Sequence, residues 1–128
     1  MKYKICCLIP VKKNSKRLKN KNFLKLDNKT IFEKTLEKAL NSKIFDEIIV
    51  SSDNAEIIKK SKYKFTFLKR PKYLSKDPST ITDVMIHACK HLDLLEKRFN
   101  TMAVLSVTNP FFDVQDITKS IKSFKKNN

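Results

Sequence analysis

Hydrophobic and polar positions follow one another in blocks along this chain, and four of the blocks have the character of strands. The run from Lys4 to Val11 is almost continuously apolar and ends beside Pro10, a pattern typical of a strand buried on both faces of a parallel sheet. The segment 64–68 instead alternates between polar and apolar residues, as an edge strand does. We predict strands over residues 4–11, 47–51, 64–68 and 101–107.

Four further segments place apolar residues at helical spacing behind a residue that can cap a helix. Thr30 and Glu33 have the spacing of a capping box, and Thr80 and Asp83 repeat it. We predict helices over about 30–42, 53–60 and 80–97, and a last helix after Asp113. The buried face of that last helix is expected to carry Ile117, Ile121 and Phe124.

Strands that alternate with helices indicate an α/β fold, an open, mostly parallel sheet with right-handed crossovers and helices on both faces. The 128 residues suffice for one such domain and are too few for two, so we expect a single domain over 1–128. Ligands of these sheets bind outside the carboxyl ends of the strands. Functional residues are therefore expected at 11–22, 51–54, 69–80 and 106–113. The chain has no glycine, and we expect asparagines such as Asn41 and Asn54 to take its place at turns.

Charge adds a candidate chemistry to this picture. Lysine and arginine number 28 against 13 acidic residues, a formal net charge of +15 that favours polyanionic partners. Basic residues are concentrated after the first strand, with no acid before Asp27: Lys12, Lys13, Lys16, Arg17, Lys19, Lys21 and Lys25. A triphosphate carries about four negative charges, so ammonium groups from one loop can hold it and neutralise a leaving pyrophosphate. Without glycines the loop is neither a Walker A loop nor a dinucleotide fingerprint, and a merely solvated basic loop is the alternative.

The cysteines and histidines suggest no disulfide framework and no metal centre. Adjacent Cys6 and Cys7 point to opposite faces of a strand, and the third, Cys89, is expected to be a small buried residue of a helix. His87 and His91 are four residues apart, a spacing compatible with metal binding, but they are expected to flank the helix's apolar stripe. No apolar run is long enough for a membrane span or a signal peptide. We expect a cytoplasmic protein with no membrane partner.

The motifs resemble a known family. Between Leu8 and Asn22 the chain is similar to the signature of cytidylyltransferases that activate sialic acids, in which an apolar strand ends in Pro-Ala-Arg and Ser-Lys and Lys-Asn follow. The residues in register are Pro10, Ser15, Lys16, Lys21 and Asn22. Three later segments, 45–53, 68–77 and 105–111, resemble further motifs of the CMP-sialic acid synthetase family in the same order.

The resemblance implies a Rossmann-like, three-layer nucleotidyltransferase fold and a reaction. A sugar-acid hydroxyl would attack the α-phosphorus of CTP and release pyrophosphate, with Mg²⁺ as cofactor and most of its protein ligands outside this chain. The implied catalytic residues are Lys12, Lys16, Lys21 and Asn22. Nucleotide contacts are implied for Val11, Asn14, Ser15, Lys16, Lys21, Asn22, Arg70, Ser79 and Thr80, and contacts to the sugar acid for Ser106 and Thr108. Arg70 would reach cytosine O2, an acceptor suited to a guanidinium.

Departures from the family pattern keep two other hypotheses open. Lys12 replaces an arginine and loses its bidentate geometry, Ser106 replaces glutamine, and Phe112 replaces arginine. The family is also longer than this chain, so a catalytically incomplete nucleotide-binding or regulatory relative is one alternative. A basic module that binds RNA or another polyanion is the other, although nucleic acid is the less expected partner because the aromatic residues fall at core positions. A homodimer is compatible with the resemblance.

Overall fold

The fold was analysed in a computed structural model that describes residues 4–11, 29–55, 63–74, 80–94, 98–107 and 112–127, and the backbone alone at 25–26. The strands in these ranges are β1 (Ile5–Val11), β2 (Lys25–Leu26), β3 (Lys29–Thr30), β4 (Glu47–Ser52), β5 (Thr66–Lys69) and β6 (Thr101–Val104). The helices there are α1 (Ile31–Ser42), α2 (Ile81–Leu94) and α3 (Val114–Lys126), with a 3-10 turn at Lys72–Leu74.

A parallel sheet with strand order β5-β4-β1-β6 forms the centre of the fold. β1 pairs with β4 on one side and with β6 on the other, so Leu8 lies opposite both Ile49 and Val104. Parallel neighbours must be joined by crossovers, and in the described residues α1 lies between β1 and β4 in sequence and α2 lies between β5 and β6. The predicted α/β fold with a mostly parallel sheet is confirmed.

Both faces of β1 are buried, as its unbroken apolar run predicts. Cys7, Ile9 and Val11 belong to a core shared with α1, whereas Cys6 and Leu8 belong to a second core shared with α2. Successive side chains of β1 therefore point alternately into two hydrophobic layers, one on each side of the sheet. Phe32 of α1 adds an edge-to-face contact with Phe65, whose ring centroid is 6.2 Å away.

Side chains fix the register at the amino edge of the sheet. The backbone N–H of Ile5 donates to Asp46 Oδ2 at 2.7 Å, and the N–H of Asp46 returns a bond to the carbonyl of Ile5 at 2.8 Å. On the other side of β1, the N–H of Lys4 donates to Asn100 Oδ1 at 2.6 Å. These bonds satisfy backbone groups where the ladders begin and hold β4 and β6 in line with β1.

Three of the predicted helix starts are confirmed in detail. Thr30 and Glu33 form the capping box of α1. Thr80 and Asp83 exchange the corresponding hydrogen bonds before α2. Asp113 and Asp116 form a capping box before α3. The predicted helix over 53–60 falls mostly outside the described residues. Residues 95–97, the predicted end of the helix over 80–97, also lie outside the described residues.

Several details differ from the sequence-based expectations. β6 ends at Val104 rather than 107, and the hairpin of β2 and β3 was not anticipated. Cys89 is exposed, because on α2 it follows the buried Ala88 by about 100° of helix rotation and so leaves the core side. Phe124 is 41% exposed, since the buried stripe of α3 ends at Ile121.

The expected use of asparagine at positive φ is also wrong at the described turns. There the left-handed position is Lys43, the C-cap of α1, at φ 56° and ψ 22°, and not Asn41 or Asn54. The N–H of Lys43 donates to the carbonyl of Leu40 at 3.2 Å, so the helix end is closed without glycine.

None of the helices in the described part of the chain is long and apolar enough to cross a bilayer.

Removing the cap of α3 should destabilise the fold by a measurable amount. Asp113→Ala deletes the oxygen that accepts from the N–H of Asp116 at 2.9 Å and leaves that donor unsatisfied. We expect a loss of about 1 kcal/mol in the free energy of unfolding, measured by urea titration. Asp113→Asn keeps an acceptor at the cap and should lose much less; equal losses in the two variants would contradict the capping role.

The three cysteines should differ in reactivity. Burial raises the pKa of Cys6 to about 11, with a smaller contribution from nearby Cys89, and burial raises the pKa of Cys7 further. The thiolate is the reactive form, so both should resist alkylation at pH 8 while exposed Cys89 is modified. Mass spectrometry after brief iodoacetamide treatment should find one adduct, which Cys89→Ser abolishes. Rapid modification of Cys7 in the folded protein would disprove its burial.

Candidate functional site

The carboxyl edge of the sheet brings together the ends of three neighbouring strands. Val11 at the end of β1 lies opposite Ser52 of β4, and Ser52 lies opposite Lys69 of β5. The side chain of Val11 is fully buried in the core shared with α1. A ligand at this edge could therefore reach Val11 only through its backbone.

Arg70 is the charged side chain that this edge fixes in place. It follows β5 directly, and its backbone N–H donates to the carbonyl of Ser52 at 2.8 Å, which extends the pairing with β4. The guanidinium donates through Nη2 to the carbonyl of Ser51 at 3.1 Å, and its Nε lies 3.4 Å from Ser51 Oγ. With only 5% of its surface exposed, Arg70 is held at the carboxyl end of β4 rather than free in solvent.

The placement of Arg70 follows from the alternation of the two strands. Ile49 and Leu68 face α2, and Ser51 and Arg70 each come two residues later in the chain. They therefore continue the same face of the sheet beyond its apolar part. Ser51 is fully buried although it is polar, and its carbonyl and hydroxyl oxygens both serve Arg70.

The electrostatic setting of Arg70 combines burial with one carboxylate. Burial lowers the pKa of Arg70, and nearby Asp53 acts in the opposite direction. A guanidinium remains protonated under these conditions, so the site keeps its positive charge. A buried guanidinium whose hydrogen bonds go mainly to neutral oxygens can still attract an electron-rich ligand.

His87 on α2 is the second polar group of this region. Its Nδ1 is buried and finds no hydrogen-bond partner in the described ranges. Burial lowers the pKa of His87, and the charges of His91, Arg70 and Lys90 lower it further. The imidazole is therefore neutral at pH 7.

Two of the other predicted site residues lie in the described part of the chain, and both are exposed. The N–H and the hydroxyl of Thr80 donate to Asp83 Oδ2 at 2.8 and 3.1 Å, so its side chain is engaged in the cap of α2. Ser106 comes two residues after β6, behind Leu105, whose N–H still donates to the carbonyl of Leu8 at 3.0 Å. Ser106 thus lies at the carboxyl end of the sheet, as expected.

The remaining predicted site residues lie outside the described residues. They are Lys12, Asn14, Ser15, Lys16, Lys21, Asn22, Ser79 and Thr108. Their expected roles stay predictions. Sequence reasoning did not single out Ser51 as a partner of Arg70, nor His87 as its neighbour. For Ser51 the signal was its place in the range 51–54 that follows an apolar strand, which marks a strand end but names no partner.

Two cavities lie elsewhere on the described surface. A groove of about 880 Å³ opens at the amino edge of the sheet between Cys6, Cys89 and Thr101, far along the strands from Arg70. A smaller one of about 380 Å³ lies between β6 and α3, lined by Leu105, Ser106 and Phe112 among others. The Nζ of Lys38 lies over the Phe112 ring, 4.7 Å from its centroid, in a cation–π contact. Phe112 therefore has a structural partner in α1.

The described residues do not form a metal site. No group of three or more His, Cys, Asp and Glu side chains suited to a metal ion occurs among them, and the pair of His87 and His91 lacks a third ligand there. At the described carboxyl edge the nearby carboxylate is Asp53, which interacts with Arg70. These residues alone therefore do not fit a resident divalent cation.

Comparison with known proteins places this geometry in a family. A model of the cytidylyltransferase family matches residues 6–128. N-acylneuraminate cytidylyltransferase of Escherichia coli is 33% identical over 127 residues, which are 98% of this chain and 29% of that protein. Pseudaminic acid cytidylyltransferase of Campylobacter jejuni is 34% identical over 124 residues, covering 94% of this chain and 53% of that protein.

A solved structure supports the fold independently of sequence. The CTP complex of CMP:2-keto-3-deoxy-manno-octonic acid synthetase superposes with a TM-score of 0.77 at 17% identity, covering 96% of this chain and 48% of the other. This chain thus spans about half of these proteins or less. Because the family model covers nearly every residue from β1 to the end of α3, the chain belongs to the cytidylyltransferase family.

Proposed function

We propose that residues 1–128 form the nucleotide-binding domain of an enzyme that transfers CMP from CTP to a sialic acid-type sugar acid. Family membership supports the nucleotide, and the relatives named for N-acylneuraminate and pseudaminic acid support the class of acceptor. The partners are then CTP and the sugar acid, and the compartment is the cytoplasm.

The observation that carries the proposal is the fixed guanidinium of Arg70 at the carboxyl edge. Ligands of open parallel sheets bind at this edge. Cytosine presents O2 and N3 as acceptors, whereas adenine presents a hydrogen-bonding pattern of different shape. A guanidinium held by Ser51 can donate to O2 without losing further conformational entropy, because burial has already ordered it. Arg70 is thus suited to select the base.

The phosphates would be bound by the basic segment that follows β1. Because β1 ends at Val11 next to Ser52, residues that leave β1 start from the edge at which Arg70 is held. We assign phosphate contacts to Lys12, Lys16 and Lys21, with Asn14, Ser15 and Asn22 as neutral donors. Ser79 and Thr80 are assigned to the nucleoside, and Ser106 and Thr108 to the sugar acid.

The reaction assigned to this site is a substitution at phosphorus. The hydroxyl oxygen of the sugar acid forms a bond to the α-phosphorus as the bond to the bridging oxygen of pyrophosphate breaks, and the hydroxyl proton is lost. Charge grows on the leaving pyrophosphate, where Lys16 and Lys21 would neutralise it.

Mg²⁺ is the proposed cofactor, and it would be held chiefly by the phosphate oxygens of CTP. Magnesium commonly uses substrate phosphates with one or two carboxylates. Since the described residues offer no ligand group, the carboxylates would come from elsewhere in the protein.

Replacing Arg70 should remove the preference for CTP. Titration calorimetry should show that the unaltered chain binds CTP more tightly than ATP. Arg70→Met should weaken CTP affinity about tenfold or more, because one charge-assisted hydrogen bond is lost. Arg98→Met removes the same charge from an exposed residue at the opposite edge of the sheet and should change little. Equal affinities for CTP and ATP in the unaltered chain would refute the proposal.

Neutralising lysines of the basic segment that follows β1 should weaken contacts to the phosphates and not to the base. Lys16→Met and Lys21→Met should each weaken CTP binding several-fold and lower its salt dependence, with little effect on cytidine. Lys119→Met, on the exposed side of α3, is the control of equal charge. Salt-sensitive RNA binding that survives loss of Lys12, Lys16 and Lys21, without CTP binding, would instead favour the polyanion-binding module.

Release of pyrophosphate distinguishes an active enzyme from an incomplete relative. The chain that contains these residues, incubated with CTP, Mg²⁺ and a panel of eight-carbon and nine-carbon sugar acids, should release pyrophosphate with at least one acceptor. CTP binding without release for any acceptor would favour the nucleotide-binding or regulatory alternative.

A further inference from the structure

The hairpin of β2 and β3 lies at the end of the basic segment that follows β1. In sequence this segment begins after Val11, at the carboxyl edge of the sheet, and its last lysine is Lys25. The backbone of Lys25 pairs with Thr30, which is also the N-cap of α1. The end of the basic segment is therefore fixed, through its backbone, beside the amino end of α1.

This hairpin is too small to be stable by its own strand pairing. In the described residues it has two pairs, Lys25 with Thr30 and Leu26 with Lys29. An isolated two-stranded hairpin is marginal at best in water, so contacts with the rest of the fold must hold it. The capping box of Thr30 and Glu33 is one such contact, and it acts at the residue where β3 meets α1.

Glu37, about one turn beyond Glu33 on α1, provides a second contact. Lys29 of β3 donates from Nζ to Glu37 Oε2 at 2.6 Å, and the hydroxyl of Tyr63 donates to the same oxygen at 2.8 Å. The ring of Tyr63 packs against the core under α1. The bond to Glu37 raises the pKa of Lys29 and the pKa of Tyr63, so both groups keep their protons at neutral pH.

The shared oxygen distinguishes this contact from an ordinary surface ion pair. An exposed pair of lysine and carboxylate contributes little, because two long side chains must be ordered to form it. The side chains of Lys29 and Glu37 are 42% and 33% exposed, but Tyr63 already orders the carboxylate. Less conformational entropy is then lost when Lys29 binds, and Glu37 joins the hairpin to a residue of the core.

We propose that Glu37 is a positioning residue, which holds the hairpin on α1 and thereby fixes the end of the basic segment for binding the phosphates of a nucleotide. The effect on the nucleotide rests on the function proposed above. The attachment of the hairpin does not, because it follows from the bonds of Lys29 and Tyr63 to Glu37. Fixing one end of a binding segment before the ligand arrives lowers the entropy lost on binding.

The first experiment measures the attachment without a nucleotide. Amide hydrogen exchange, followed by NMR, should be several-fold faster across β2 and β3 in Glu37→Ala than in the unaltered chain, because the hairpin opens more often. Exchange in β1 should stay the same and so report that the variant is folded. Asp93→Ala removes an exposed carboxylate of α2 and is the control of equal charge. Unchanged exchange across the hairpin in Glu37→Ala would overturn the proposal.

The second experiment uses the sign of the charge. Glu37→Lys makes the chain more positive, which by itself would strengthen the binding of CTP. We expect CTP affinity to fall several-fold instead, because Lys29 is repelled and the hairpin is released. Asp93→Lys makes the same change of charge at an exposed position of α2, on the other face of the sheet, and should not lower CTP affinity. Affinity for cytidine, which has no phosphates, should be the same in all these chains.

Exchanging the two charges tests whether Lys29 acts through the hairpin or touches the phosphates itself. The double variant with Lys29→Glu and Glu37→Lys has the net charge of the unaltered chain and can form the ion pair with its charges exchanged. It should recover most of the CTP affinity that Glu37→Lys loses. No recovery would mean that Lys29 acts directly, and the positioning role would be wrong.

The outcomes separate this proposal from the function on which it rests. If the unaltered chain binds no CTP, the proposed function fails, and hydrogen exchange still decides whether Glu37 holds the hairpin. If CTP binds and Glu37→Lys binds it as tightly as the unaltered chain, the positioning role fails and the proposed function stands.

Discussion

The two-sided burial of β1 is the constraint on which the rest of the structure depends. Because its residues alternate between a core under α1 and a core under α2, the strand can lie only in the middle of the sheet. Its neighbours β4 and β6 are parallel to it, so their carboxyl ends meet at one edge. The same register that buries Cys7 and Leu8 therefore aligns Val11 with Ser52 and brings Arg70 to Ser51.

Local signals predicted much of the fold. Thr30 with Glu33 and Asp113 with Asp116 form capping boxes whose partners are three residues apart, so a reader of the sequence can see both halves of each interaction. The apolar runs of β1 and β4 are visible in the same way. Less was predictable where burial is decided by distant elements: Cys89 and Phe124 have apolar character, yet Cys89 is exposed on α2 and Phe124 is 41% exposed on α3.

The candidate site was only partly predictable for the same reason. Arg70 was recognised from a motif, but its partner Ser51 is 19 residues away in the chain, and His87 belongs to α2. Nothing in the sequence near Arg70 indicates that its oxygen partner is a strand end. The pairing of β4 with β5 creates that contact.

The hydrogen bonds that Arg70 makes to described residues go to neutral oxygens, and burying a charge on such partners has a cost that the fold alone does not explain. Taking a charged group out of water is expensive unless strong bonds replace hydration, and Ser51 supplies only neutral oxygens through one short and one longer contact. A methionine of similar length would not carry this desolvation cost. Under the function proposed above, the guanidinium is a donor that the fold keeps ordered for a ligand, and this role would account for its charge at the end of the sheet.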